Sequence, residues 1–367
     1  MKKLFMLLIV FVLFTNTAFA NNDFTLLPTQ TGIVQELDYV DINLNEFAQT
    51  KQVIKVKLST GENKGEIIEL ENHLTGNPNY DIPVKTGSKV VLHAETDGQE
   101  IVYSISDIER FPVLVFLSLL FCGLLIIVGR KKGLYSLVSI ILTCILICKL
   151  LSPMILFGIN PIIATVIICL LSTAITMYLV GGFNRKSTSA TLGCTLSLII
   201  AGFLSLLATK LANLTGFNSE TSIFLYSAHP ELNFVAIAVS TMILATLGAV
   251  MDVAMSIAST INEIYTVDNT KTVKELFLCG MNVGRDIIGT MANTLILVYL
   301  GSSLPLLLLA SNIDLQKFIN LNQVVTEISS ALIGSCAIIL CVPITALISS
   351  ELIKNMPVKI DFDSIKD

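Results

Sequence analysis

One stretch of the chain concentrates groups able to do chemistry. Residues 248–293 read GAVMDVAMSIASTINEIYTVDNTKTVKELFLCGMNVGRDIIGTMAN. Asp252, Ser256, Ser259 and Glu263 recur at spacings of four, three and four, and Asn282, Asp286, Gly289 and Asn293 repeat that pattern. On an α-helix each set forms one continuous polar stripe. Asn262 lies beside the first stripe, and Arg285 and Thr290 flank the second. The surroundings are small: Ala249, Ala254, Ala258, Gly280, Gly284 and Ala292, with a GxxxG spacing at Gly280 and Gly284 that permits close helix approach. A hairpin of two such helices with facing stripes would gather Asp252, Glu263 and Asp286 with the amides of Asn262, Asn282 and Asn293. Carboxylates and amides collected in a low-dielectric setting bind a cation or exchange protons. Arg285 would neutralise one carboxylate or hold an anionic substrate.

The same residues admit a structural reading. Asp252 and Asp286 fall at the expected ends of two apolar segments. They would then be interfacial, with residues 253–284 forming an amphipathic hairpin on the membrane surface and Arg285 pairing with Asp252.

Other candidates are weaker. All eight cysteines lie in 111–367, and Cys144 and Cys148 share a helix face with no His nearby in sequence. Cys in apolar helices is usually a small hydrophobe. The three histidines, His73, His93 and His229, lie outside the apolar segments, and neither HExxH nor a P-loop occurs. No cofactor or metal is expected, and any transport would be secondary or powered by a partner. Glu327, Lys149 and Lys210 stand at segment ends, where such side chains snorkel. Gly193, Ser197, Ala201 and Ser205 repeat every four residues and read as a packing seam.

The elements that must position the stripes are apolar. Hydrophobic residues make up 53% of the 367, and charged residues only 14%, against roughly 25% in ordinary soluble domains. Mean hydropathy is +0.77 and the pI about 5.3. This composition excludes a soluble enzyme, a disordered chain and a nucleic-acid binder. Seven segments are long enough to cross a bilayer, near 112–129, 134–152, 161–180, 189–209, 233–252, 287–309 and 328–349.

Ahead of them the composition differs. Lys2, Lys3, the apolar run Leu4–Phe14 and Ala18-Phe19-Ala20 read as a signal peptide over 1–20. Residues 21–110 carry 15 acidic against 7 basic groups and no Cys. Short β-rich runs near 53–58, 67–70, 89–94 and 101–105, bounded by Gly, Asn and Pro, predict a small barrel or sandwich. With that domain outside, Arg130, Lys131, Lys132, Arg185, Lys186, Lys271, Lys274, Arg285 and Lys354 fall on the cytoplasmic side, as does the tail 351–367.

Several blocks resemble one family. Residues 248–264 and 280–297, Gly301-Ser-Ser-Leu304, the loop Gly-Gly-Phe-Asn-Arg-Lys at 181–186 and Ala190-Thr-Leu-Gly193 resemble the YibE/F-like bacterial membrane proteins. The resemblance covers most of 111–350, and more loosely the external domain. It implies a multi-spanning bundle and supplies no reaction.

The expectation is thus an α-helical polytopic membrane protein with about seven transmembrane helices and a small extracytoplasmic β domain, in a bacterial cell membrane. Its partners are the lipid bilayer and either a second copy or a paralogous membrane subunit; nucleic acid is excluded. A secondary transporter or ion-coupled permease is the first functional expectation. A non-transporting assembly or sensory protein, whose external domain binds an envelope partner, is the second. A lipid-directed intramembrane enzyme would rest on the carboxylates alone.

Overall fold

The computed structural model describes residues 29–41, 50–61, 63–78, 81–97 and 100–355. The expected signal peptide and most of the expected cytoplasmic tail lie outside the described residues. The chain divides into two compact units at Leu124.

The first unit is built on five antiparallel strands: β1 Gln30–Asp41, β2 Thr50–Leu58, β3 Ile67–Leu74, β4 Lys89–Asp97 and β5 Glu100–Ile108. Their order across the sheet is β3-β2-β1-β4-β5. The two end strands, β3 and β5, approach each other, so the sheet curls into a partly open barrel of the OB type. Period-two alternation drives it. In β2, Ile54, Val56 and Leu58 are buried while Lys55 and Lys57 point outward. Buried Gln52 is satisfied by Val84, whose carbonyl accepts from its amide at 3.3 Å and whose N–H donates back at 3.3 Å. Four strands fall on the expected runs. The central strand, β1, was not expected, because a bulge between Val34 and Glu36 breaks its alternation.

After the strands, six helical stretches are long and apolar enough to cross a membrane, the first of them beginning before Leu124. The first, Phe111–Leu156, comprises α1 Phe111–Leu146, a π-helical turn Ile147–Leu151 and α2 Ser152–Leu156. It is broken at Arg130, whose φ is 48° and ψ −130°. At this sharp bend a Cβ on Gly133 would collide with the carbonyl of Leu125, so only glycine fits its inner side. The break separates the two expected segments 112–129 and 134–152. The count of seven is thus approximate: six stretches, one of them bent in two.

The others are α3 Pro161–Gly181, α4 Arg185–Leu211, α6 Phe234–Val267, α7 Val273–Ser302 and α10 Asn322–Asn355. Short helices α5 Glu220–Ala228, α8 Leu304–Leu309 and α9 Leu315–Ile319 lie between them. Side-chain caps set the starts: Asn160 for α3, Asn184 for α4, Asn233 for α6 and Thr272, in a capping box with Glu275, for α7.

Helix α10 is the hub, packed against α4, α6 and α7. Close approach depends on small residues. A Cβ on Gly193 would meet Thr345, one on Gly284 would meet Val342, and one on Gly280 would meet both Ile261 and Ala346. The α4 seam of Gly193, Ser197, Ala201 and Ser205 is buried throughout. Helix α10 also carries Pro343 in its interior.

The bundle has two recognisable ends. At one, Arg185 donates to the carbonyl of Ile353 at 3.1 Å and Lys354 to that of Asn269 at 3.1 Å. These bonds join the start of α4, the α6–α7 loop and the end of α10. At the other, Asn322 donates to the carbonyl of Phe217 at 2.9 Å.

Candidate functional site

The stripes sit on α6 and α7, which form a hairpin joined by residues 268–272. Neither helix ends at its carboxylate. Residues 253–267 and 273–284 continue the two helices, and Val253, Ala254, Ile257, Ala258, Ile261, Leu276, Gly280 and Gly284 are buried in the bundle. This stretch is therefore part of the bundle core and not a hairpin lying on a surface. Tight local chemistry closes the turn. Asp268 accepts from the Thr270 N–H and hydroxyl at 3.1 and 2.6 Å, and Glu275 accepts from the Thr272 N–H at 2.7 Å. The Thr270 bonds hold the Asp268 carboxyl below the usual carboxylate range.

The faces that meet are not the polar ones. Ile261 of α6 lies against Gly280 of α7, and Leu295 of α7 and Thr246 of α6 both lie against Gly334 of α10. Because α10 wedges against both helices, their small and apolar faces are buried and the stripes are left outside. Asp252, Ser256 and Glu263 are exposed on α6; Ser259 and Asn262 are half-buried. Asn282, Arg285, Asp286 and Asn293 are exposed on α7. The carboxylates of Asp252, Glu263 and Asp286 form no ion pair or hydrogen bond with any described residue. The expected Arg285–Asp252 pair is absent: Arg285 donates at 3.2 Å to Asn282 Oδ1 on its own helix.

Depth can be read by counting along touching helices. Helix α4 runs from Arg185 to Leu211, with Leu198 at its centre. Gly202 of α4 meets Ile243 of α6, which runs antiparallel to it, and this places Asp252 level with Gly193. A second route agrees within one helical turn. Cys341 reaches the Val250 carbonyl at 3.7 Å and also touches Ser197, which places Asp252 level with residue 195. Asp252 thus stands about 12–15 Å inward of Arg185. On α7, Gly284 against Val342 and Gly193 against Thr345 place Arg285 level with Ser197 and Asp286 level with Leu198. These two are at the centre of the bundle, about 18–20 Å from Arg185. Sequence reading had placed them at segment ends, because hydropathy locates the apolar part of a helix and misses a polar part that is packed.

The surroundings of the stripe are open. A Cβ on Gly289 of α7 or on Gly248 of α6 would meet nothing within 4 Å. Among the described residues no group of His, Cys, Asp and Glu could hold a metal ion. Helix α10 was read from sequence only as one more segment. Its small residues Gly334, Ala337, Ala346 and Ser349 carried the signal of a hub.

Residues 117–355 match the family described as YibE/F-like protein, and residues 29–108 match the YibE/F family N-terminal domain. No curated protein and no solved structure matches the chain. Taken together, a barrel domain followed by a bundle whose two polar blocks lie on α6 and α7 places the chain in the YibE/F-like family of membrane proteins.

Proposed function

We propose that the protein is a secondary transporter or ion-coupled permease for a small ion or solute, acting through the exposed stripe of α6 and α7. The observation that carries this reading is the position of Arg285 and Asp286 halfway along the bundle, with Asp252 about one helical turn away in depth. On insertion scales an Asp or Arg at the centre of a spanning helix costs about 2.5–3.5 kcal/mol, and such groups mark ion and substrate paths. Transport sites characteristically lie near this depth. Asp252 and Asp286 would take a cation or proton, Arg285 would balance charge or hold an anionic group, Asn282, Asn262, Ser256, Ser259 and Glu263 would line the route toward the Arg185 end, and Asn293 would line it on the opposite side. The Lys and Arg gathered at that end support a cytoplasmic location for it, with the N-terminal domain outside a bacterial cell membrane.

The test is thermal stability of the full chain in nanodiscs across pH, cations and small anions, followed by flux into proteoliposomes. A ligand at 100 times its dissociation constant stabilises by about 2.7 kcal/mol. The reading requires one condition to stabilise the wild type and the shift to vanish in Asp252→Asn or Asp286→Asn. If all three amide variants, Asp252→Asn, Glu263→Gln and Asp286→Asn, retain wild-type flux, the reading fails.

A second reading, recognition of an envelope partner by the β domain, is favoured by one feature. A cleft of about 820 Å³ opens where β3 and β5 approach without pairing, lined by Glu66, Glu69, Glu71, Val102 and Tyr103. Unpaired strand edges accept extended segments by adding a strand. A partner that co-purifies with the whole chain and is lost on deleting 21–110, in a protein that moves no solute, would favour this reading.

A further inference from the structure

We infer that the α6–α7 stripe is the contact face of a two-fold symmetric pair, and that a second copy of this chain completes the site by setting Arg285 of one copy against Asp252 of the other. The inference rests on the same stripe as the transport reading and adds its partner. Three observations meet here. First, the exposed sides of α6 and α7 carry both signs of charge at depth, and Arg285, Asp252 and Asp286 are ion-paired with no described residue. Lipid tails cannot satisfy such groups, and they are stable at depth only when paired or watered. Second, the opposite charges stand at nearly equal depth. Asp252 is level with residues 193–195 of α4 and Arg285 with residue 197, a separation of roughly 3–6 Å, within reach of an arginine side chain. A two-fold axis along the membrane normal preserves depth, so an isologous contact places each Arg285 opposite the other copy's Asp252 and forms two reciprocal pairs. Third, Gly248 and Gly289 leave open space on this face. Helices of two copies can therefore approach closely enough for the charges to meet. Asp286 and Asn282, beside the pairs, then line a space bounded by both copies, with Asn293 about two turns further along α7.

The test is charge exchange in trans, with full-length protein extracted in native nanodiscs and copies counted by mass photometry. Wild type is expected as two copies. Arg285→Asp alone and Asp252→Arg alone each place like charges opposite one another. Each should weaken pairing roughly tenfold or more, because a buried charge is left unmatched. Co-expressed with different tags, the two variants restore both contacts, so sequential tag purification should recover mixed pairs at near wild-type yield. A wild type of single copies, single variants that remain paired, or mixtures no better than the single variants would each overturn the inference. Should the charge variants fail to accumulate, Gly289→Cys decides. Its site is open, so oxidation with copper-phenanthroline should add a cross-linked dimer above the level given by the native cysteines, while Leu196→Cys on the exposed side of α4 should add none. No added dimer at 289 overturns the inference. Pairing without any ligand-dependent shift would sink transport alone. A ligand shift that depends on Asp252 in a single-copy protein would sink pairing alone.

Discussion

Helices α4 and α7 both carry polar and small residues at helical spacing, yet the bundle treats them oppositely. The α4 seam is closed: Gly193, Ser197, Ala201 and Ser205 are buried against α6 and α10. Its hydroxyls need no outside partner, since Ser197 donates to the Gly193 carbonyl at 2.8 Å and Ser205 to that of Ala201 at 2.8 Å. On α7 the corresponding line of Asn282, Asp286 and Asn293 stays outside. Serine can return its hydrogen bond to its own helix, whereas an ionised carboxylate such as that of Asp286 has no proton to donate to a carbonyl. Periodicity alone therefore does not separate packing from function inside a membrane; what separates them is whether the side chain can satisfy itself.

The comparison can be broken first on α4. Gly193→Leu should destabilise by about 3 kcal/mol, the upper end of overpacking, because its Cβ would press on the Thr345 side chain and Cα. Gly289→Leu, on the open face, should leave the stability of the single chain within about 0.5 kcal/mol. Equal losses of thermal stability in the two variants would erase the distinction. A smaller effect is expected at the turn that aligns the stripes. Thr272→Ala removes the cap of α7 and should cost about 1 kcal/mol, read as a lower unfolding temperature.

Acid should loosen that same turn. Asp268 is held below its unfolded value by the Thr270 hydroxyl and N–H, so its contribution is complete above the ordinary carboxylate range and is lost as pH falls through the folded value, below about 4. Hydrogen exchange over 268–275, corrected for intrinsic rates, should rise in that window and should lose this pH dependence in Asp268→Asn. The smallest expected change is Ser197→Ala, a few tenths of a kcal/mol, since the lost hydroxyl serves only its own helix.

Much of the architecture was legible. Alternation in residues 53–58, 67–70, 89–94 and 101–105 marked four strands, and the apolar runs marked every spanning helix. β1 escaped because its bulge shifts the inward residues by one. The stripes on α6 and α7 were legible as helical periodicity, but their depth was not. Depth depends on which helices lie alongside, and Gly284 on Val342 or Gly193 on Thr345 are pairings between residues far apart in the chain. The outward direction of the stripes was illegible for the same reason: it is set by α10 wedging against α6 and α7.

Pro343 follows Val342, the residue that Gly284 of α7 rests upon. A proline has no N–H to offer the carbonyl four residues back, here that of Ile339, so α10 lacks one rung of its ladder. The missing rung lies within a turn of the depth of Arg285 and Asp286, in the helix that touches three neighbours. The stiffest-looking member of the assembly is thus mechanically softest beside its charges. A swing about that point would carry the Gly280–Ala346 contact with it and leave the Gly334–Leu295 contact in place, so that one end of the stripe opens while the other stays shut.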